Sequence, residues 1–392
     1  MDDIVDITPP PRFTFAQRRD ARLLLSKSRF FLLLGLGAEL GSDENPLPTP
    51  FCTCSNPNFE LRVVRVTDEP NTTRYHDRQP RVLIELKGRQ SAKTRRANAK
   101  KIASAIEGLF SHVHHSHFEF TAHQIPKEFI ERGEVSVGLV EELEALTEGD
   151  IYGGRIRDRL KSYVTIPQSN LAMIFYLLPF ILQNEDLFNA CAFFRSSCSE
   201  FCFMDGAVSD VLYEPKREPE NESERLALEH LVLQSFRTIE AIVGEPGRNE
   251  KRFRERLKAW GFDWNERVGF RGRRRGRLED RIRWLQGARD SAAAHGKRRR
   301  RNPFTHYEVM EAQHLADSVL HRALWHTAEK LGREGDEAEI AFLLEEMFPN
   351  YPGWARDKKL FRGKRAIDLA RIPGGLKPVS RYQEQRARAV VR

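Results

Sequence analysis

Leu278-Glu279-Asp280-Arg281-Ile282-Arg283-Trp284-Leu285-Gln286-Gly287-Ala288-Arg289-Asp290-Ser291-Ala292-Ala293-Ala294-His295-Gly296 decides how the C-terminal half of this chain is read. Leu278, Ile282, Leu285 and Ala292 recur at helical spacing, which marks one face of an amphipathic helix for burial. Arg289 falls on that face. A guanidinium keeps its charge and is costly to bury alone, so Arg289 is either paired with an acid or held there for an anion. Three alanines, Ala292 to Ala294, allow a backbone or a ligand to come close, and Gly296 after His295 suits a helix C-cap. Lys297, Arg298, Arg299, Arg300 and Arg301 follow without interruption. The stretch reads as an Arg–His pair at the edge of a helical interface, beside a surface that attracts phosphate.

Outward from this helix, the chain keeps the same character. Before it lies Arg271-Gly272-Arg273-Arg274-Arg275-Gly276-Arg277, a glycine-spaced arginine cluster suited to phosphate or single-stranded RNA. Ser223 to Val243 predicts a helix whose stripe is Leu228, Val232, Phe236, Ile239 and Val243, ended by Gly244 and Pro246. Glu240 lies at the edge of that stripe. It can pair with Arg289 across the bundle, orient a catalytic group, or stand as a solvated flank carboxylate. Lys251 to Trp260 predicts a short helix, and Thr305 to Leu331 a long one with Val309, Ala312, Ala316, Leu320 and Ala323 inside. Ile340 to Phe348 adds a short helix before a basic tail from Trp354 onward.

Arg289-Asp290-Ser291-Ala292-Ala293-Ala294-His295 resembles the motif of the HEPN superfamily: an arginine, a small polar residue, four further residues and a histidine. The ending Ala294-His295-Gly296 is most similar to the branch found in prokaryotic anti-phage proteins of the ApeA type. The resemblance covers roughly Glu222 to Arg333. It implies a small helical bundle that works as a homodimer, and metal-independent endoribonuclease activity, which many members of that superfamily have. It also implies a role in anti-phage defence or toxin-type growth arrest, with a phage-derived trigger or an antitoxin as partner.

Residues six apart on an ideal helix point about 120° away from each other, so Arg289 and His295 of one chain converge poorly on one atom. Either the helix loosens at its cap, or two copies each contribute one side of a shared cleft; the resemblance favours the second. The reaction it implies is transesterification, with His295 as base toward a ribose 2′-hydroxyl and Arg289 holding the non-bridging phosphate oxygens. Asp290 would orient the histidine, fix the arginine, or cap local backbone. The clusters Arg271–Arg277 and Lys297–Arg301 would supply affinity for RNA with little sequence preference. The alternative is a noncatalytic dimeric RNA-binding regulator or adaptor, with His295 merely capping the last turn and Arg289 in a structural ion pair.

Composition agrees with an anionic partner. The 392 residues hold 64 Lys and Arg against 56 Asp and Glu, a net charge of +8. That balance points to nucleic acid before membrane. Five cysteines, Cys52, Cys54, Cys191, Cys198 and Cys202, argue against a secreted disulfide framework. The start lacks a basic leader, and the apolar run Phe30 to Ala38 is too short to span a bilayer, so a cytoplasmic protein with no membrane segment is expected.

The N-terminal half reads as mixed. Phe13 to Leu40 combines basic residues with the apolar run, as a helix or a buried strand. Phe59 to Val66 and Arg81 to Lys87 alternate as strands, and Phe118 to Ala122 is a further strand candidate. Ser91 to Phe110 has helical spacing, with Ala99, Ile102, Ala103, Ile106 and Phe110 inside and Lys93, Arg95, Arg96, Lys100 and Lys101 mostly elsewhere. That basic face either touches nucleic acid or is simply solvated. Ser169 to Leu182 and Leu187 to Leu212 read as apolar helices, with Pro179 expected to kink or end the first. Charged, proline-bearing Pro215 to Glu222 is the best boundary.

His112, His114, His115, His117 and His123 form the densest histidine group, yet no cysteine pairs or acidic triad accompany them as metal ligands. Cys191, Cys198 and Cys202 sit at helical spacings and read as core. No phosphate-binding loop or dinucleotide fingerprint is present, so no cofactor is expected. The fold class expected is an α+β N-terminal region followed by a mainly α-helical, HEPN-like bundle. Its divisions are a mixed sensor or regulatory domain at 1–168, an apolar helical connector at 169–214, the bundle at 215–335, and a short helix with basic tail at 336–392.

Overall fold

The computed structural model describes residues 14–34, 53–55, 58–67, 80–114, 118–131, 134–136, 139–140, 143, 168–198, 219, 221–245, 250–268, 276–293, 304–331 and 376–377. It contains an N-terminal mixed α+β region followed by a mostly helical C-terminal bundle. The chain divides into two compact units, one holding residues 1–100, 120–168 and 377–392, the other 101–119 and 169–376.

The first unit is built on a mainly antiparallel sheet. Its elements are α1 (Phe15–Lys27), β1 (Phe30–Leu34), β2 (Thr53–Ser55), β3 (Phe59–Thr67), β4 (Pro80–Leu86), the start of α2 (Ala92–His114), β5 (Thr121–Ile125), β6 (Ile130–Glu131) and β7 (Glu134–Ser136). The strand order is β2-β3-β4-β1-β5, with β7 parallel on the β2 side of β3 and β6 paired to β7. Phe31 of β1 faces Ile84 of β4 and Gln124 of β5. Phe30 to Leu33 are all buried, at 0–4% exposure. A central strand covered on both faces needs no alternation, which is why this run also reads as a helix in sequence. Phe30, Leu32, Val64, Leu83, Ile125, Val135 and Val140 form one core cluster. A capping box at Thr14 and Gln17 starts α1, which rests Ala21 and Leu25 near Leu143. The strand expected at Phe118 to Ala122 begins instead at Thr121 and ends at Ile125.

The second unit takes the rest of α2 together with α3 (Gln168–Gln183), α4 (Glu185–Cys198), α5 (Glu222–Val243), α6 (Glu250–Ala259), the short hairpin β8 (Arg267–Val268) and β9 (Gly276–Arg277), α7 (Leu278–Ala293) and α8 (His306–Leu331). Pro179 lies inside α3, which continues to Gln183, so the proline does not end this helix. Helix α5 is central and packs against α4, α7 and α8. Its stripe Leu228, Val232, Phe236, Ile239 and Val243 is buried throughout, each such side chain contributing about 1.5–3 kcal/mol by leaving water. Helices α2 and α4 meet at Gly108, where an added Cβ would lie 2.7 Å from the Cβ of Cys191. Among the described residues no helix is long and apolar enough to cross a membrane.

Candidate functional site

Helix α7 is held in one rotation. Leu278 and Glu279 donate their backbone N–H groups to the carbonyls of Glu266 and Trp264, at 2.8 and 3.2 Å. The Glu279 carboxylate, at the positive end of the helix dipole, accepts from Arg254 at 3.1 Å and Arg283 at 2.9 Å. Burial pushes the Glu279 carboxyl up, but these two guanidinium groups outweigh it and hold it below the usual range. Further along, Arg281 pairs with Glu311 of α8 at 2.6 Å and stacks over Trp284. With Leu278, Ile282 and Leu285 buried on one side, the direction of Arg289 is set.

Arg289 is only 17% exposed and is ringed by acids. Its Nε donates to Asp290 Oδ1 at 2.9 Å, Nη2 to Glu245 Oε1 at 2.7 Å, and Nη1 to Glu240 Oε1 at 3.5 Å. The guanidinium lies 4.4 Å from the ring centroid of Phe236, one helical turn before Glu240 on α5. Burial works against its charge, yet the hydrogen bond to Glu245 and the three carboxylates raise its pKa further. Glu240 is pushed above the ordinary carboxylate range, chiefly by burial, with Glu245 and Asp290 adding to the shift and Arg289 and Arg237 opposing it.

The turn that brings Glu245 here depends on Gly244. Asn221 caps the start of α5 by accepting from Glu224 N–H, and Gly244 ends it with φ of 77°, donating its N–H to Glu240 O at 2.8 Å. Glu245 is the next residue. Its Oε1 also receives Nε2 of Gln286 across 3.4 Å.

The structure thus brings together Arg289, Asp290 and Glu240, and adds Phe236, Glu245 and Gln286. Asp290 fixes the arginine. Phe236 belongs to the core stripe of α5, and its edge position toward Arg289 is visible in the i, i+4 spacing to Glu240. Glu245 follows the cap, where helical periodicity carries no signal. His295, Lys297, Arg298, Arg299, Arg300 and Arg301 lie outside the described residues, as do Arg271, Arg273, Arg274 and Arg275 in the connection between β8 and β9. Arg277 is exposed on β9, opposite Arg267.

A second polar group is buried in the helical unit. His112 Nδ1 is 2.6 Å from Asp317 Oδ1, and His112 Nε2 is 3.3 Å from Nδ1 of His321. His112 belongs to the sequence's densest histidine group; His114, His115 and His117 have no described side chain, and His123 lies on β5. Among the described residues no three His, Cys, Asp or Glu side chains are placed to hold a metal ion. Cys191 and Cys198 are buried free thiols, and burial pushes the Cys191 thiol far up; Cys52 and Cys202 fall outside the described residues.

As it stands, the Arg289 guanidinium is a cation more than neutralised by its neighbours. It can serve as a structural clamp between α5 and α7, or exchange one carboxylate for a phosphate oxygen. Set beside known proteins, the chain matches no protein-family model, no curated protein and no solved structure.

Proposed function

We propose that this chain is a metal-independent endoribonuclease of the HEPN type, cleaving RNA in a composite site made by two copies. The observation that carries this reading is Arg289: a pre-oriented guanidinium on an aromatic platform at the α5–α7 interface, six positions ahead of His295. A fixed fork of donors suits the charge that builds on a phosphorane-like transition state. In the reaction, His295 of one copy removes the proton of the 2′-hydroxyl, and the freed oxygen bonds to the adjacent phosphorus. The bond from phosphorus to the 5′-oxygen breaks, and His295 of the other copy protonates that oxygen. The products are a 2′,3′-cyclic phosphate and a 5′-hydroxyl. DNA lacks the nucleophile and resists.

The sensor or regulatory role falls to the N-terminal region, and the biological setting to anti-phage defence or toxin-type growth arrest in the cytoplasm, under control of a phage-derived trigger or an antitoxin. The test is incubation of end-labelled RNA and matched DNA with the protein in excess EDTA, beside Arg289→Ala and His295→Ala. RNA-only cleavage ending in a cyclic phosphate and absent from both variants supports the reading. Equal cleavage by both variants overturns it.

A second reading is favoured by the three carboxylates on one guanidinium, an arrangement a structural ion pair would also have. In it, the bundle is a noncatalytic dimeric RNA-binding regulator or adaptor. Arg289→Ala and His295→Ala would then leave RNA affinity unchanged with no cleavage by the parent under any trigger.

A further inference from the structure

Two donors of α7 converge on a single oxygen that does not belong to their own helix. Arg289 Nη2 reaches Glu245 Oε1 at 2.7 Å, and Gln286 Nε2, one turn earlier on the same face, reaches the same atom at 3.4 Å. Neither Glu240 nor Asp290 is bonded to Gln286. Glu240 faces Nη1 at 3.5 Å, while Asp290 Oδ1 lies against Nε at 2.9 Å and Nη2 at 2.8 Å, so that Gln286 distinguishes the Glu245 oxygen from the other two carboxylates. Glu245 is the third carboxylate on this guanidinium, and it crowds Glu240, whose pKa it helps to raise. Like Asp290, at 59%, Glu245 is mostly exposed, at 55% against 17% for Arg289. The residue stands beyond the helix end, on a turn set by the left-handed Gly244.

We propose that Gln286 and Arg289 form an oxyanion subsite, that Glu245 Oε1 marks the position of a phosphate oxygen in it, and that a phosphodiester displaces Glu245 on binding. The ligand class is a phosphate oxyanion: a carboxylate and a phosphate offer the same acceptor geometry to a guanidinium fork and an amide N–H. Phe236 holds the guanidinium plane in place when the carboxylate leaves. Gln286 is thus a positioning residue for the anion, and Glu245 its resident competitor. The proposal rests on the ribonuclease reading for its natural ligand, but the subsite itself is measured with inorganic phosphate.

The full chain is titrated with inorganic phosphate at constant ionic strength, and binding is read from the shift in thermal midpoint and by calorimetry. Glu245→Gln removes the competing charge and keeps the shape, so it binds phosphate about tenfold tighter than the parent. Asp290→Asn removes an equal charge beside the same guanidinium but away from Gln286, and gains less. Adding Gln286→Ala, or Arg289→Lys where Arg289→Ala fails to fold, to Glu245→Gln abolishes the gain. Glu245→Gln binding no tighter than the parent overturns the subsite, as does an equal gain in Asp290→Asn or a gain that survives Gln286→Ala. RNA cleavage is scored separately. Tighter phosphate binding without cleavage by any protein under any trigger leaves the subsite standing and removes the ribonuclease reading. Cleavage that depends on Arg289 and His295, with phosphate binding unmoved by Glu245→Gln, does the reverse.

Discussion

His112 and Asp317 meet across 2.6 Å with side-chain exposures of 0% and 1%, although 205 residues separate them in the chain. With Asp317 ionised, His112 donates through Nδ1 and turns its Nε2 toward His321, which then donates in turn. Solvent does not reach this chain of groups, so its role is to join α2 to α8.

Removing one partner leaves the other buried with a lost bond. Asp317→Ala and His112→Ala are each expected to cost about 1–3 kcal/mol or more, the range for a buried polar group left without its hydrogen-bond partner. The double variant costs less than the sum of the two. Urea denaturation of the four proteins measures this as a double-mutant cycle, and simple additivity would show that the two side chains do not interact.

Glu240 makes stability depend on pH in an unusual direction. Its folded pKa lies above its unfolded value, chiefly through burial, so the folded state holds the proton more tightly. This group's contribution is fully favourable below the unfolded carboxylate pKa and is lost as pH rises through the raised folded value. The thermal midpoint of Glu240→Gln minus that of the parent therefore increases as pH climbs from about 4 toward neutrality, then levels. A difference that falls over that range would contradict the sign.

Gly108 is needed for close approach. A Cβ there would lie 2.7 Å from Cys191 Cβ and 3.1 Å from its carbonyl carbon and oxygen. Gly108→Ala is expected to cost about 1–3 kcal/mol by overpacking. Cys191→Ala does not restore it, because the obstruction is the Cβ and backbone and not the sulfur. In the parent, the buried Cys191 thiol is expected to react with maleimide only at the rate of unfolding.

Lys93 stands against the field of its own helix. It is exposed in the first turn of α2, where Ser91 caps Thr94 N–H and no acid is present. Lys93→Glu is expected to raise stability by about 0.3–1 kcal/mol, more at low salt. A fall in the thermal midpoint would show that Lys93 is held in a stabilising ion pair.

Legibility in sequence followed periodicity. The buried stripes of α2, α5 and α8 were visible because their apolar residues recur every three or four positions, and the α5 cap because Gly244 breaks the pattern. The form of β1 was ambiguous, since Phe30 to Leu33 are buried on both faces and carry no alternation. Of the two outcomes expected at Pro179, a kink or an end, the end does not occur, since α3 runs on to Gln183. The pairing of Arg289 with Glu240 was one of several readings, legible from two charged residues at the edges of two apolar stripes. Glu245 gave no signal, because it follows a cap. Nor did the bond from His112 to Asp317, since nothing local links residues so far apart in the chain.

The division of α2 between two compact units sets an order of events during synthesis. Ile102, Ile106 and Phe110 belong to the helical unit, and His112 on the same helix leaves the ribosome 205 residues before its partner Asp317. At ordinary elongation rates that is a wait of about 10–40 s. For that time His112 stands without the carboxylate beside which it is finally buried.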